Sequence, residues 1–198
     1  MALRIRSARP ADVPAVAALH VASWRDAYRD VLDARFLAGP IETALGAHWQ
    51  AMLGGKRRPG AVILATAARE VAGFAAAWRE GTNCHVDNLH VRPGMRNAGI
   101  GRALLGFAAR RLETQGCTSA DLWVFARNAG ALRFYARLGA ELGPEVLRET
   151  QGQMVLERRA SWAEIGLLIA ACASDDGAIA TVTQVAAGSR QLAEEPTP

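Results

Sequence analysis

Val91-Arg92-Pro93-Gly94-Met95-Arg96-Asn97-Ala98-Gly99-Ile100-Gly101-Arg102 is the stretch on which the fold turns. Before it, Cys84 to Val91 alternates weakly between apolar and polar residues, as a strand does. After it, Ile100, Leu104, Leu105, Ala108 and Leu112 recur at helical spacing, so Gly99 to Leu112 is expected to form an amphipathic helix. The first turn of a helix leaves backbone N–H groups unpaired, and the helix dipole favours an anion there. Glycines remove the side chains that would keep a phosphate away. A P-loop would need Lys after its second glycine, but Ile100-Gly101 follows Gly99. A dinucleotide fingerprint would need a third glycine, and Leu104 holds that place. What remains is an anion site of another kind, or a tight turn that uses glycine for its own sake.

Outward from this loop the pattern is α/β. Leu3 to Ala8 alternates as a half-buried strand, and Pro10 ends it. Asp12 is a plausible N-cap for a helix through Val13, Val16 and Leu19. A second helical stretch is expected from Ser23 to Leu32 and a third from Ile41 to Leu53, followed by a Gly/Pro loop from Gly54 to Gly60. Ala61 to Thr66 and Val71 to Trp78 read as paired strands joined by a turn at Arg69-Glu70. Ala120 to Phe125 is a strand, and Asn128 to Leu138 a helix capped by Asn128 and closed by Gly139. Ala140 to Val146 and Gln153 to Glu157 would form a last hairpin. The expected architecture is a mixed, mostly antiparallel central sheet flanked by helices, occupying residues 1–158. Residues 159–198 differ in composition and are expected to form a weak helix from Trp162 to Ala173 and then a disordered end.

Two segments carry a resemblance. Arg96-Asn97-Ala98-Gly99-Ile100-Gly101 fits the Arg/Gln-x-x-Gly-x-Gly/Ala signature of the Gcn5-related N-acetyltransferase (GNAT) superfamily. Asn128-x-x-Ala131-x-x-Phe134-Tyr135-x-x-Leu138-Gly139-Ala140 resembles its second motif, with Ala140 where Phe is usual. The start of the chain, through Trp24 and Tyr28, is similar to the first strand and helices of bacterial members. The resemblance implies an N-acetyltransferase that takes acetyl-CoA as acyl donor. It implies that the main chain of Asn97, Ala98, Gly99, Ile100, Gly101 and Arg102 holds the pyrophosphate, with Arg96 helping by side chain or by shaping the loop. It further implies that Leu89 offers its N–H to the oxyanion, that His90 and Val91 run along the pantetheine arm, and that Asn128 and Tyr135 bind the coenzyme. Tyr135 is the implied general acid, since a phenol titrating near 10 stays protonated at neutral pH.

A base is harder to read. His85 and Asp87 are two residues apart on one strand and so share a face, with Leu89 on it too unless a bulge intervenes. His85, polarised by Asp87, is the candidate base, because histidine titrates nearest neutrality. A surface histidine at a strand end is the plainer reading. Trp24 and Tyr28, one helical turn apart, are candidates for the acceptor pocket and equally for the core. Cys84 has no neighbouring base in the sequence to mark it as a nucleophile. The expected reaction is direct transfer to a primary amine in a ternary complex. The alternatives are a coenzyme-A-binding regulatory module without turnover and a transferase using a longer acyl donor.

Bulk properties agree with this. With 198 residues, 51% of them hydrophobic, the chain can form one ordinary domain with an appendage. The net charge of +4 suits a solvated surface or a pull on an anionic ligand. No basic run is interleaved with aromatics, so nucleic acid is not an expected partner. A small-molecule or peptide amine is expected, and a homodimer is left open. Cys84, Cys117 and Cys172 are widely spaced without a CxxC pair, which suggests neither a disulfide framework nor a metal site. The N-terminus carries charges where a signal peptide needs an apolar run, and Ile165 to Ala173 is too short to span a bilayer. A cytoplasmic protein that does not contact membranes is the expectation.

Overall fold

Strand β1 (Leu3–Ser7) buries Leu3 and Ile5 and carries Arg4 and Arg6 on its other face. In the computed structural model, which describes residues 3–54, 60–68, 70–173 and 182–184, it is followed by a 3-10 turn (Pro10–Asp12) and three helices, α1 (Val13–Ala27), α2 (Ala34–Ala38) and α3 (Pro40–Gly54). Strands β2 (Gly60–Ala67), β3 (Glu70–Glu80) and β4 (Asn83–Val91) come next, then α4 (Ile100–Glu113), β5 (Ser119–Phe125) and α5 (Ala129–Arg137). The hairpin β6 (Glu141–Thr150) and β7 (Gln153–Trp162), helix α6 (Ile165–Ala173) and a short β8 (Val182–Gln184) complete the described chain. The sheet order is β6-β7-β5-β4-β3-β2-β1-β8. Pairing is antiparallel except at β4/β5 and β1/β8, so the sheet is mixed and mostly antiparallel, as the sequence pattern predicts.

Both faces of β3 are covered, and its residues from Val71 to Ala77 are buried without alternation. On one side Leu104, Leu105, Ala108 and Leu112 of α4 pack against Ala75, Ala77, Cys84 and Val86. On the other, Val16 and Leu19 of α1 and Trp49 of α3 pack against Leu64, Phe74 and Ala76.

Three local expectations change. Asp12 does not cap α1 through its side chain. Its carboxylate accepts from both Arg6 terminal nitrogens at 2.7 Å and from the Arg9 N–H, stronger charge-assisted partners than a helix amide. The first two helical stretches are one helix through Trp24, and Leu32 lies beyond it as a buried residue. The last hairpin is longer than expected: β7 runs to Trp162, so the expected boundary at residue 158 falls inside a strand.

Helix α6 then lies on α4, with Ile165, Leu168 and Cys172 buried in the main core. A Cβ built on Gly106 of α4 would stand 2.7 Å from the Cys172 Cβ, so the absent side chain is what admits α6. Trp162 donates its indole N–H to the Leu138 carbonyl at 2.8 Å. The stretch from Arg159 to Ala173, expected to lie outside the domain, is thus packed into its core. Leu168→Ala is expected to lower the unfolding free energy by about 2–5 kcal/mol, the range for emptying a buried leucine site. Urea denaturation measures it, and an unchanged midpoint would mean that α6 does not dock. The expected loop at residues 55–59 and the Arg69 side of the β2–β3 turn lie outside the described residues, as does the expected disordered end apart from Val182–Gln184, which form β8 beside β1 rather than a disordered segment.

Candidate active site

The site begins with a strand pair that separates. β4 and β5 pair only from Asn83–Ser119 to His85–Asp121, and beyond His85 the two strands diverge. On its other edge β4 stays paired with β3 as far as Val91, with an irregularity that brings Asn88 opposite Ala76 but Val86 opposite Ala77, leaving Asp87 as the extra residue. The Arg92 N–H donates to Ala72 O at 2.9 Å. Antiparallel pairs alternate between bonded and non-bonded, so the main-chain N–H and C=O groups of Leu89 and Val91 point away from β3, into the split.

Two cavities meet at this split. The larger, about 1130 Å³, runs over the start of α4 and is lined by Met95 through Arg102, by the β4 end and by α5. Gly94, Asn97 and Gly99 all adopt positive φ, which folds residues 92–99 into a tight loop and aims the start of α4 at the cavity. Gly99 caps α4 without a side-chain bond, and the first intrahelical bond is Ala103 N to Gly99 O. The amides of Ile100, Gly101 and Arg102 are therefore unclaimed by the helix, in a place suited to an anion. The Arg96 guanidinium is bound to Asp26 on α1, which ties the loop to the opposite wall. Arg102, Arg133 and Arg137 also line this cavity, the last two one turn apart on α5. The Arg133/Arg137 pair was not singled out in the sequence, although its i,i+4 spacing was there to be read.

The smaller cavity, about 290 Å³, lies between α1, α3, β4, β5 and the β6–β7 hairpin. All four histidines of the chain, His20, His48, His85 and His90, line it. Trp24 and Tyr28 line it as well, with ring centroids 5.6 Å apart, and Trp24 is buried in a core cluster with Val21, Leu45 and Phe125. Tyr28, Leu89, His90, Asn128, Ala131 and Tyr135 line both cavities, so they stand where the two join.

The histidines differ in charge. His90 is buried, with Nδ1 3.0 Å from the Ser23 hydroxyl. Burial, helped by Arg96, pushes its pKa down to about 3, so it is neutral at physiological pH. Burial likewise holds His20 well below the ordinary histidine value, and its Nδ1 accepts the Trp49 indole N–H. His85 is the opposite case: the bond to Asp121, at 2.8 Å, raises its pKa against the opposing effect of burial. Burial alone would raise Asp121, but hydrogen bonds from His85, Asn83 and Arg159 outweigh it and hold the carboxyl at about 2. An ionised Asp121 accepts only, so neutral His85 must carry its proton on Nδ1 and its lone pair on Nε2.

This corrects the expected His85–Asp87 pair. The bulge at Asp87 breaks the alternation; Asp87 is exposed and accepts from Trp78 Nε1 at 3.3 Å and from Asn88 at 2.8 Å. The same bulge puts the Leu89 side chain against the α4 core rather than on the His85 face. Asp121, 36 residues from His85, gave no local signal in the sequence.

On α5, the Asn128 side chain accepts from Ala131 N at 3.0 Å, as a helix cap does. Tyr135 is buried, its ring edge-on to Phe134 and Trp162. Burial and then Tyr28 raise its pKa, so the phenol keeps its proton. Cys84 is pushed up to about 12 by burial, which makes it a poor nucleophile. Among the described residues, no three His, Cys, Asp or Glu are grouped to hold a metal ion, and no helix is long and apolar enough to cross a membrane.

Known proteins resemble this chain in sequence and in fold. The chain is similar to the N-acetyltransferase YuaI of Bacillus subtilis (strain 168), at 24% identity over 169 residues, 83% of this chain and 95% of that protein. A mycothiol acetyltransferase of Streptomyces avermitilis is 39% identical over 82 residues, but that is 34% of this chain and only 27% of the relative's length. Among solved structures, PaiA N-acetyltransferase from Thermoplasma acidophilum, crystallised with coenzyme A, shares the fold at TM-score 0.62 and 17% identity, covering 82% of this chain and 100% of that one. YncA from Salmonella typhimurium, solved with acetyl-CoA, does so at TM-score 0.59 and 18% identity, covering 82% and 94%. The sequence pattern of the acetyltransferase (GNAT) family matches residues 18–140, and the chain therefore belongs to that family.

Proposed function

We propose that this protein transfers an acetyl group from acetyl-CoA to the primary amine of a small acceptor by direct attack in a ternary complex. The observation that carries the reading is the meeting of two cavities at Tyr135 and the unpaired edge of β4. One cavity offers helix-start amides and three arginines, and suits a long ligand with phosphates at one end. The other is small and polar, with His85, bonded to Asp121, in its wall.

In this reading the amides from Asn97 to Arg102 hold the pyrophosphate, while Arg96 shapes the loop through Asp26. The β4 edge at His90 and Val91 runs along the pantetheine arm. The amine nitrogen attacks the thioester carbonyl carbon, and the Leu89 N–H donates to the developing oxyanion. His85 Nε2 takes a proton from the ammonium form of the acceptor, with Asp121 in the supporting place expected of Asp87. As the C–S bond breaks, Tyr135 gives its proton to the departing sulfur, the acylated nitrogen releases its extra proton to solvent, and Tyr135 is reprotonated from solvent; Asn128 fixes the start of the helix that carries it. The high pKa of Cys84 agrees with transfer that passes through no enzyme thioester. The three free, buried cysteines suit a cytoplasmic setting.

Gly101→Glu tests the loop. A Cβ there would meet Val91 and Phe134 only at 3.6 and 3.7 Å, so Gly101→Ala is expected to be tolerated. The carboxylate of Glu would stand in the phosphate place. Calorimetry is expected to show coenzyme A binding lost in Gly101→Glu and kept in Gly101→Ala. Unchanged affinity in folded Gly101→Glu sinks the assignment. Binding without thiol release across amine acceptors would instead favour a coenzyme-A-binding module.

A further inference from the structure

The β6–β7 hairpin places an arginine in the smaller cavity that the acyl-transfer chemistry leaves unused. Arg148 lies with its guanidinium carbon 4.0 Å from the Trp123 ring centroid, stacked on the indole. Its Nε donates to Glu157 at 3.0 Å, and Thr150 donates to the other oxygen of the same carboxylate at 2.8 Å. Glu157 is buried, whereas the Arg148 side chain is 43% exposed. Among the described residues, neither terminal nitrogen of Arg148 has a hydrogen-bond partner. The ring and the Nε bond therefore fix the guanidinium plane, while its outer N–H groups remain available in the cavity.

A guanidinium held in this way is pre-organised for a planar oxyanion, which it can take with two parallel hydrogen bonds. Neutralising Glu157 would not by itself require the stacking on Trp123, nor leave the fork at an accessible edge. The position also suits a two-ended ligand. Trp123 stands two residues from Asp121 on β5, and their side chains share the face on which His85 meets Asp121. Two residues of strand span about 7 Å, so the base and the fork are a short molecule apart along one wall. Asp87 and Glu157, lining the same cavity, favour the ammonium end and disfavour a bare polyanion.

Resting on the acetyl-transfer reading above, we infer that the acceptor is a small amine that also bears a carboxylate, with Arg148 binding the carboxylate while the amine is presented to His85. Arg148 is thus a specificity-determining residue. The cavity, at about 290 Å³, sits at the lower end of ligand pockets and fits an amino acid rather than a folded protein.

The test compares β-alanine, γ-aminobutyrate and ε-aminocaproate, each beside its carboxamide and the bare alkylamine. Binding to the full-length protein saturated with coenzyme A is measured by calorimetry. The best carboxylate is expected to bind about tenfold or more tightly than its amide, as a charge-assisted pair should. Removing Arg148 alone would strand Glu157, so two variants are used. Arg148→Lys keeps the charge, loses the fork and is expected to lose most of the preference. Arg148→Met with Glu157→Gln removes the pair together and is expected to abolish it, with thermal melting confirming a folded protein. Equal binding of carboxylates and amides, no binding of any carboxylate, or a preference that survives both variants overturns the inference. Thiol release from acetyl-CoA with the same amines is read separately. A carboxylate preference without thiol release would count against acetyl transfer and leave the Arg148 site standing. Acetylation without preference would do the reverse.

Discussion

Tyr135→Phe is expected to lower turnover by about 100- to 10,000-fold, the usual worth of a positioned general acid, with little change in coenzyme A affinity. The substitution deletes one hydroxyl and keeps the ring, whose edge-on neighbours are Phe134 at 5.1 Å and Trp162 at 6.2 Å. The Trp162 contact, from β7, holds α5 against the sheet and does not involve the hydroxyl, so Tyr135→Phe removes a proton donor without opening a cavity. The phenol is buried and its pKa is raised, chiefly by that burial. It therefore stays protonated throughout the working range and adds no limb to the pH profile. The loss should accordingly be the same at every pH, seen in thiol release with coenzyme A affinity followed by calorimetry. Full activity in Tyr135→Phe would leave the thiolate to be protonated by water, and the acid role would be withdrawn.

The features that could be read from the sequence are those whose physics is local. The turn through Gly94, Asn97 and Gly99 announces itself because left-handed backbone selects such residues, and the α4 amides follow from helix geometry. Asn128 and Tyr135 sit on one short helix at fixed spacing. What escaped the sequence was made by pairing across the sheet. Asp121 reaches His85 only because β4 and β5 are parallel and in register there, and Arg159 joins them from β7. The bulge at Asp87 depends on β3 as much as on β4, and it redirects the whole candidate base. Helix α6 was placed outside the domain because its composition is apolar without a marked polar face; the space that receives it is made by Gly106, far away in the chain. Arg148 and Glu157 are separated by a hairpin, and a charge pattern along one strand does not reveal which ring the guanidinium will meet.

His85→Ala is expected to depress the rate by about 100- to 10,000-fold near neutral pH, and to recover as pH rises, because the amine then loses its proton unaided. In the parent enzyme the base works only when unprotonated. Its pKa is raised, first by the hydrogen bond to Asp121, so the acidic limb of kcat/KM should lie above the ordinary histidine value of about 6.5. Asp121→Asn keeps an oxygen for Nδ1 and removes the charge, which should move that limb to lower pH while lowering the plateau through lost orientation. Stability should run the other way. A raised histidine pKa stabilises the fold fully below about pH 6.5, and this contribution is lost as pH rises through the folded value. The depressed Asp121 carboxyl, at about 2, contributes above about pH 4 and loses its contribution as pH falls toward 2. The pair is thus most stabilising between about pH 4 and 6.5, below the range in which the base is active. Melting temperatures and rates measured from pH 5 to 9 should therefore slope in opposite directions in the parent enzyme; in His85→Ala the melting slope should flatten, while the rate should keep rising with pH as the amine loses its proton unaided. A loss in His85→Ala that is uniform across pH would make His85 a structural partner of Asp121, and the base would have to be sought elsewhere in the cavity wall.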